Sequence, residues 1–314
     1  MTADTQQRGI GVADDGAPAM RTERGMLASA WRELRKAPIS AWFGMLVVLG
    51  YMFCALFAPL IAPFGEADIL GDSYAEWGSV ATDDAGNVIG NYVLGTDQLG
   101  RDMLSRLIYG ARNTIGIAAA TTLLSFLIGG SLGMFVAVFR GWTDMLVSRL
   151  VDVLMSIPTL IFALMLLSVT GPQISAIIGV IAVLDSTRVF RLTRALALNV
   201  VVMDYVEAAQ LRGETTVWVM RREILPNILP PMIAEFGLRF CFVFLTISAL
   251  SFLGLGIQPP TADWGAMVFE NATLITYGDI TPLLPAGAIA LLTVAVNFVV
   301  DWFLHKTSGL RDEF

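Results

Sequence analysis

Residues Tyr205 to Ile233 read YVEAAQLRGETTVWVMRREILPNILPPMI, and most of what surrounds them is apolar. The reading of this stretch decides the fold. DYVEAAQLR, beginning one residue earlier at Asp204, holds good helix formers with Glu207, Ala208 and Ala209 at its centre. Gly213 breaks the pattern as a helix C-terminal glycine does. ETTVWVMRREIL can restart a helix, with Thr215 or Thr216 as the N-cap. Val217, Trp218, Met220, Ile224 and Leu225 give that helix an apolar side; Arg221, Arg222 and Glu223 give it a charged one. Pro226, Pro230 and Pro231 are expected to end it and to open the next apolar run. The stretch is therefore two short helices joined at a glycine. Such an element either packs its apolar face on lipid or on its own bundle, or lays it in the groove of a soluble partner.

The surroundings are membrane. Of 314 residues, 55% are hydrophobic and 15% charged, and the mean hydropathy is +0.68. Soluble domains carry about one quarter charged residues. Runs of roughly 20 apolar residues suffice to cross a bilayer. They are expected at Ala41–Ala62, Thr114–Phe139, Leu146–Val169, Ile174–Val189, Ile228–Leu253 and Leu283–Leu304. The fold class is thus all-α and polytopic, with six transmembrane helices. An even number of spans puts both termini on one side.

The positive-inside rule chooses that side. Most Arg and Lys, from Arg8, Arg32, Arg35 and Lys36 through Arg140, Arg149, Arg188, Arg191 and Arg194 to Arg212, Arg221, Arg222 and Lys306, flank the spans on one side. The other side holds Arg101, Arg106 and Arg112 with the acidic residues Glu66, Asp68, Asp97, Asp263, Glu270 and Asp279, among others. The first side, with both termini, is cytoplasmic. The organisation that follows is a disordered cytoplasmic tail at 1–25 and an amphipathic surface segment at 26–40. The first span occupies 41–62 and a periplasmic loop 63–113. The core at 114–304 has five spans and a cytoplasmic loop at 204–226, and a cytoplasmic tail fills 305–314. No secretory signal is expected at the start, since no basic stretch leads there into a short apolar core. Within the long outer loop, ATDDAGNVIGNYV has the Asp, Gly and Asn of a turn between two extended pieces. The net charge of -7 comes largely from the outer loops. The basic flanks are too dispersed to form a nucleic-acid footprint.

Catalytic chemistry is missing. No G-x-x-x-x-G-K-[ST], G-x-S-x-G or H-E-x-x-H occurs, so no phosphate cradle, nucleophile elbow or zinc helix is expected. His305 stands alone, and Cys54 and Cys241 lie in apolar runs, so no metal site is expected. The chain needs no cofactor of its own, and energy must come from another chain.

A resemblance narrows this reading. Glu207-Ala208-Ala209, then Gly213, then Ile224-Leu225-Pro226 is similar to the EAA loop of bacterial ABC-importer permeases, with the final spacing only approximately kept. LGTDQLGRDMLSRLIYGAR at Leu94–Arg112, ALSFLGLGIQPPTADWGAMV at Ala249–Val268 and APISAWFGMLVVLGYMFCALFAPLIAPF at Ala37–Phe64 resemble stretches of the C-type subunit of dipeptide, oligopeptide and nickel permeases. The sequence departs at Glu223, where that family often has His, and at Arg212-Gly213-Glu214-Thr215, where it favours Leu-Gly-Ala-Ser. The resemblance implies a type I ABC-importer permease in the bacterial inner membrane, carrying di- or oligopeptides. Nickel complexes, opines, glutathione and oligosaccharides are the alternatives within the family. It also implies the partners: a B-type permease subunit, two ATP-binding subunits or domains holding ATP and Mg, a periplasmic substrate-binding protein, and membrane lipid. Coupling to the ATPase falls on Glu207, Ala208, Ala209, Arg212, Gly213, Glu214, Thr215, Thr216, Trp218, Ile224, Leu225 and Pro226.

Polar residues within the spans are functional candidates by default. Glu235 and Arg239 lie four apart on one helical face, either as a self-satisfied pair near the cytoplasmic end or as a gate. Asp152 and Ser156 in the third span, and Ser248 and Ser251 in the fifth, either pack or line the pathway. Asp185 is close enough to Arg188 to be neutralised by it. Trp77 and Trp264 read as interface anchors or as contacts to the binding protein. A rival from another class, an ion-coupled secondary transporter, needs paired intramembrane carboxylates and an internal inverted repeat. The charges read as lying at span ends, and no repeat is evident.

Overall fold

The computed structural model describes residues 37–69, 71–82 and 87–307. The expected N-terminal tail, most of the amphipathic segment and the last residues lie outside these. Contacts divide the chain after Pro38, and the unit from Ile39 onward holds all the elements below.

Helix α1 is Ile39–Ile61. A hairpin follows, β1 Ser79–Thr82 against β2 Val88–Tyr92, antiparallel with Ser79 opposite Tyr92. The extended pieces expected around the Asp/Gly/Asn turn are therefore present. Then come α2 Met103–Phe139, α3 Gly141–Ser156, α4 Thr159–Thr170 and α5 Ile174–Val201. The quoted stretch holds α6 Asp204–Leu211, α7 Thr216–Val219 and a π turn Met220–Ile224. The chain ends with α8 Leu225–Phe252, α9 Trp264–Asn271, a 3-10 turn Ala272–Tyr277 and α10 Leu283–Thr307.

Four helical stretches among the described residues are long and apolar enough to cross a membrane: Ile39–Ile61, Met103–Phe139, Thr216–Phe252 and Leu283–Lys306. A fifth span arises if α3 and α4 are taken together. The fold is a helical membrane bundle with four or five such spans. The expected sixth, α5, has the length but carries Asp185, Arg188, Arg191 and Arg194.

Two expectations need correction. The run Leu146–Val169 is not one straight helix: α3 and α4 meet at an angle of 89°. Ile157 is extended at φ -91, ψ 131, because the ring of Pro158 disfavours a helical residue before it. The prolines after Ile224 do not end a helix either. Thr216–Phe252 is helical throughout. The π turn takes up the changed register, Pro226 falls in the first turn of α8, and Pro230 and Pro231 sit inside it.

Small residues decide which helices meet closely, since lipid tails give no hydrophobic drive between helices. On α2, a Cβ added at Gly129 would collide with the Ser186 carbonyl of α5, and one at Gly133 would lie 2.8 Å from Thr193 Cβ. Gly44 of α1 meets the Ala295 carbonyl of α10 in the same way. Long apolar side chains such as Leu46, Leu56 and Leu60 face outward, as lipid contact requires.

Candidate functional site

The quoted stretch closes one end of the bundle. Gly213 has φ +82, in the left-handed region that a Cβ penalises. Its N–H donates to the Gln210 carbonyl at 2.9 Å, and that of Glu214 donates to the Ala209 carbonyl at 3.3 Å, ending α6. The Thr215 hydroxyl then accepts from the Trp218 N–H at 3.3 Å and starts α7, which settles the choice between Thr215 and Thr216. Val206, Ala209, Val219, Ile224 and Ile228 are buried on Ala137, Val189 and Ala197, so the loop is anchored to α2 and α5. The apolar side is therefore built from Val219 and Ile224, while Val217 is 63% exposed. Trp218, Leu225, Glu214 and Thr216 are half-buried. Glu207, Ala208, Arg212, Gly213, Thr215 and Pro226 are exposed, together with Leu211. One side of the loop thus packs on its own bundle. The other offers Glu207, Leu211 and Arg212 outward from a firmly seated base.

A second cluster lies deep in the bundle. Glu235 Oε1 is 2.8 Å from Arg239 Nε. Arg239 Nη1 and Arg188 Nη1 each lie 3.7 Å from Asp185 Oδ1. The Ser125 hydroxyl donates to Asp185 Oδ2 at 3.2 Å, and Arg188 donates to the Thr159 hydroxyl at 3.0 Å. At 1.5 Å per residue, Arg239 stands about 20 Å from either end of α8 and Asp185 about 17 Å from the start of α5. Both lie in the middle of their helices. Glu235, Arg239, Asp185 and Arg188 thus lie inside their helices rather than at the helix ends. Two carboxylates stand inside the bundle, but each is faced by a guanidinium.

The other candidates separate. Asp152 and Ser156 are exposed on α3, and the Ser156 hydroxyl returns a hydrogen bond to its own helix at Val153. Ser248 and Ser251 are buried. Ser251 accepts from the Ile257 N–H at 3.3 Å, and the Ser248 backbone packs on Gly265. Both are engaged in the connection from α8 to α9. Trp264 is 1% exposed, not an interface anchor. Its indole N–H donates to the Leu107 carbonyl at 2.9 Å, and its ring packs on Tyr51 and Phe244. Trp77 is exposed and reaches the Thr281 hydroxyl at 3.3 Å.

At the end of the bundle opposite the loop is a network that sequence reasoning passed over. Asp97, Arg101 and Arg106 are buried. Asp97 is 2.7 Å from Arg101 and 3.3 Å from Arg106. Both guanidiniums also reach Glu270 of α9, at 3.0 and 3.2 Å. Glu66 accepts from Asn113 at 3.0 Å and from the Ala262 N–H at 3.2 Å. Nearby, Asp263 caps α9 and accepts from Thr114 at 2.8 Å; burial pushes its carboxyl above the usual range. The signal was available in LGTDQLGRDMLSR, where Asp97 and Arg101 stand four apart beside Gly100. Among the described residues no group of His, Cys, Asp and Glu could hold a metal ion.

The structure is thus a polytopic bundle of membrane-length helices with a charged loop seated across one end. Residues 129–306 match the family described as binding-protein-dependent transport system inner membrane component. Residues 25–75 match the N-terminal TM domain of oligopeptide transport permease C. The di/tripeptide transport system permease protein DppC of Pseudomonas aeruginosa is 34% identical over 86% of this chain and 85% of its own. The dipeptide transport system permease protein DppC of Haemophilus influenzae is 32% identical over 87% and 88%. The peptide transport system permease protein SapC of Escherichia coli is 31% identical over 88% and 92%. A chain of the inward-facing MetNI methionine ABC transporter superposes with a TM-score of 0.53 at 18% identity, over 63% of this chain and 94% of that one, which shows the shared fold. The chain belongs to the binding-protein-dependent inner-membrane permeases, and among them to the C-type subunits. It is a multi-pass inner-membrane transport subunit and not an enzyme.

Proposed function

We propose that this chain forms half of the translocation pathway of an ATP-driven importer of di- or oligopeptides. In this reading α5 also crosses the membrane, making six spans with both termini cytoplasmic. The loop at 204–226 is then on the side where ATP is available. A B-type permease subunit supplies the other half, a soluble binding protein delivers the cargo, and ATP with Mg resides on two ATP-binding subunits or domains. The peptide cargo is carried over from the names of the relatives.

One observation carries the coupling role: the loop is anchored beneath by Val206, Ala209, Val219 and Ile224 while Glu207, Ala208, Leu211 and Arg212 are exposed. A rigid base with a free face transmits a push. When the ATPases close on ATP they displace this loop, and with it α5 and α8, shifting the pathway between two states that bind ATP with different affinity.

The test is purification of the complex through this chain, identification of its subunits, and ATP hydrolysis with and without loaded binding protein for wild type and Glu207→Lys. Co-purification of an ATPase, with its stimulation lost in Glu207→Lys, is expected. A complex without ATPase, or uptake that persists in vesicles without ATP, overturns the reading.

A further inference from the structure

We propose that Arg239 is a two-position switch, paired with Glu235 in this state and closing on Asp185 in the other. This rests on the reading of the 204–226 loop as the coupling element, because α5 and α8 are the two helices that enter and leave it.

The geometry is that of one cation between two anions. Arg239 is at 2.8 Å from Glu235 and 3.7 Å from Asp185. Neither arrangement is complete. Arg239 Nε is buried without an in-line hydrogen bond, despite the short distance to Glu235. Asp185 is 3% exposed, yet its one hydrogen bond is the 3.2 Å contact from Ser125 and both its cations stand at 3.7 Å. A buried carboxylate with so few close donors is costly. It gains by drawing a guanidinium about 1 Å nearer, to the 2.7–2.9 Å of a charge-assisted hydrogen bond.

The neighbours fit a switch. Arg188, the other cation on Asp185, also donates to Thr159 at the start of α4 just after the bend. Ser125 belongs to α2. Four helices therefore meet at Asp185. Glu235 and Arg239 lie on the same helix, so the pair they form restrains nothing else. The pair Arg239 makes with Asp185 ties α8 to α5. Drawing Arg239 from its present 3.7 Å contact into a close bond with Asp185 locks the two helices that carry the loop, and its return toward Glu235 releases them. Arg239 also lies 4.7 Å over the Phe242 ring, a surface along which the guanidinium can move.

The test uses the full transport complex in lipid nanodiscs, with spin labels at the exposed positions Asn199 of α5 and Leu245 of α8 in a Cys54→Ser background. These lie about 30 Å apart along the helix axes at 1.5 Å per residue. Asp185→Asn removes one partner of Arg239 and Glu235→Gln the other. The switch requires the two substitutions to move the distance distribution in opposite directions. In proteoliposomes Arg239→Gln is expected to lower cargo moved per ATP hydrolysed at least 10-fold while hydrolysis continues, with Arg239→Lys retaining part of the ratio. Shifts in the same direction, unmoved distances, or an unchanged ratio in Arg239→Gln overturn the proposal. Failure of the coupling reading shows separately, as the absence of an ATPase from the purified complex.

Discussion

Glu270→Gln tests the network at the hairpin end, because it keeps shape and removes one charge. Glu270 Oε2 receives Arg101 at 3.0 Å and Arg106 at 3.2 Å, and the side chains are 10%, 3% and 1% exposed. After the substitution two buried guanidiniums share Asp97, whose carboxylate also caps the Leu99 and Arg101 N–H groups at 2.9 and 3.0 Å. Removing one partner of a buried pair costs about 3–5 kcal/mol, mainly because the charge left behind has lost its compensation. Screening gives little relief, since salt acts weakly on buried pairs. The cost falls on the docking of Leu94–Asp102 against α9. The expected result is a hairpin region cut by protease at least 100-fold faster under native conditions, with the loss equal at about 0.05 M and 0.5 M salt. The double variant Glu270→Gln, Arg106→Met is expected to recover most of it. A single variant within about threefold of wild type, or a loss that salt abolishes, refutes the claim that these charges are buried and mutually dependent.

Three further outcomes follow from the geometry. Gly213→Ala meets no neighbour within 4 Å but must hold φ +82, so it should cost about 1–2 kcal/mol; hydrogen exchange at Arg212–Trp218 should speed about 10-fold while α8 stays protected. Gly133→Leu drives a side chain into Thr193 and the Phe190 carbonyl, so α2 and α5 separate; the apparent melting temperature of the detergent-solubilised chain should fall, and Gly179→Leu, in open space, should leave it unchanged. The raised pKa of Asp263 means its contribution to stability is fully present below about pH 3.9, the ordinary Asp value, and is lost as pH rises through the folded value; Asp263→Asn should flatten that decline in melts taken between pH 4 and 8, and an unchanged slope would count against it.

How much of this was legible in the sequence depends on the range of the interaction. The helix–glycine–helix loop was readable because Gly213, Thr215 and the apolar positions act within one or two turns. The β1–β2 hairpin was readable for the same reason. The bend between α3 and α4 was missed although Pro158 stands in plain view, because the apolar run on both sides outweighed one local signal. The burial of Trp264 was not legible, since it depends on Gly110 of α2 leaving room for the indole. The Asp185 cluster and the hairpin-end network join residues far apart in sequence. Their members look like isolated charges until the helices are placed side by side.

The two charge clusters then differ in a way that bears on motion. At the hairpin end the distances run from 2.7 to 3.3 Å, every guanidinium has two carboxylates, and Asp97 also caps backbone. That network has one good arrangement, and it holds the Leu94–Asp102 segment to α9. In the Asp185 cluster the close 2.8 Å pair lies within α8, while Asp185 has only 3.7 Å contacts, from Arg188 of its own helix and from Arg239 of α8. Buried ions are a poor means of gaining stability, and apolar side chains of the same volume serve as well or better. Unlike Arg101 and Arg106, which reach both their carboxylates at once, Arg239 is close to Glu235 alone, so a second arrangement, close on Asp185, lies within the reach of one side chain. In the proposed coupling the loop moves α5 and α8 together in one half of a cycle and releases them in the other, and two such arrangements between those helices would serve it.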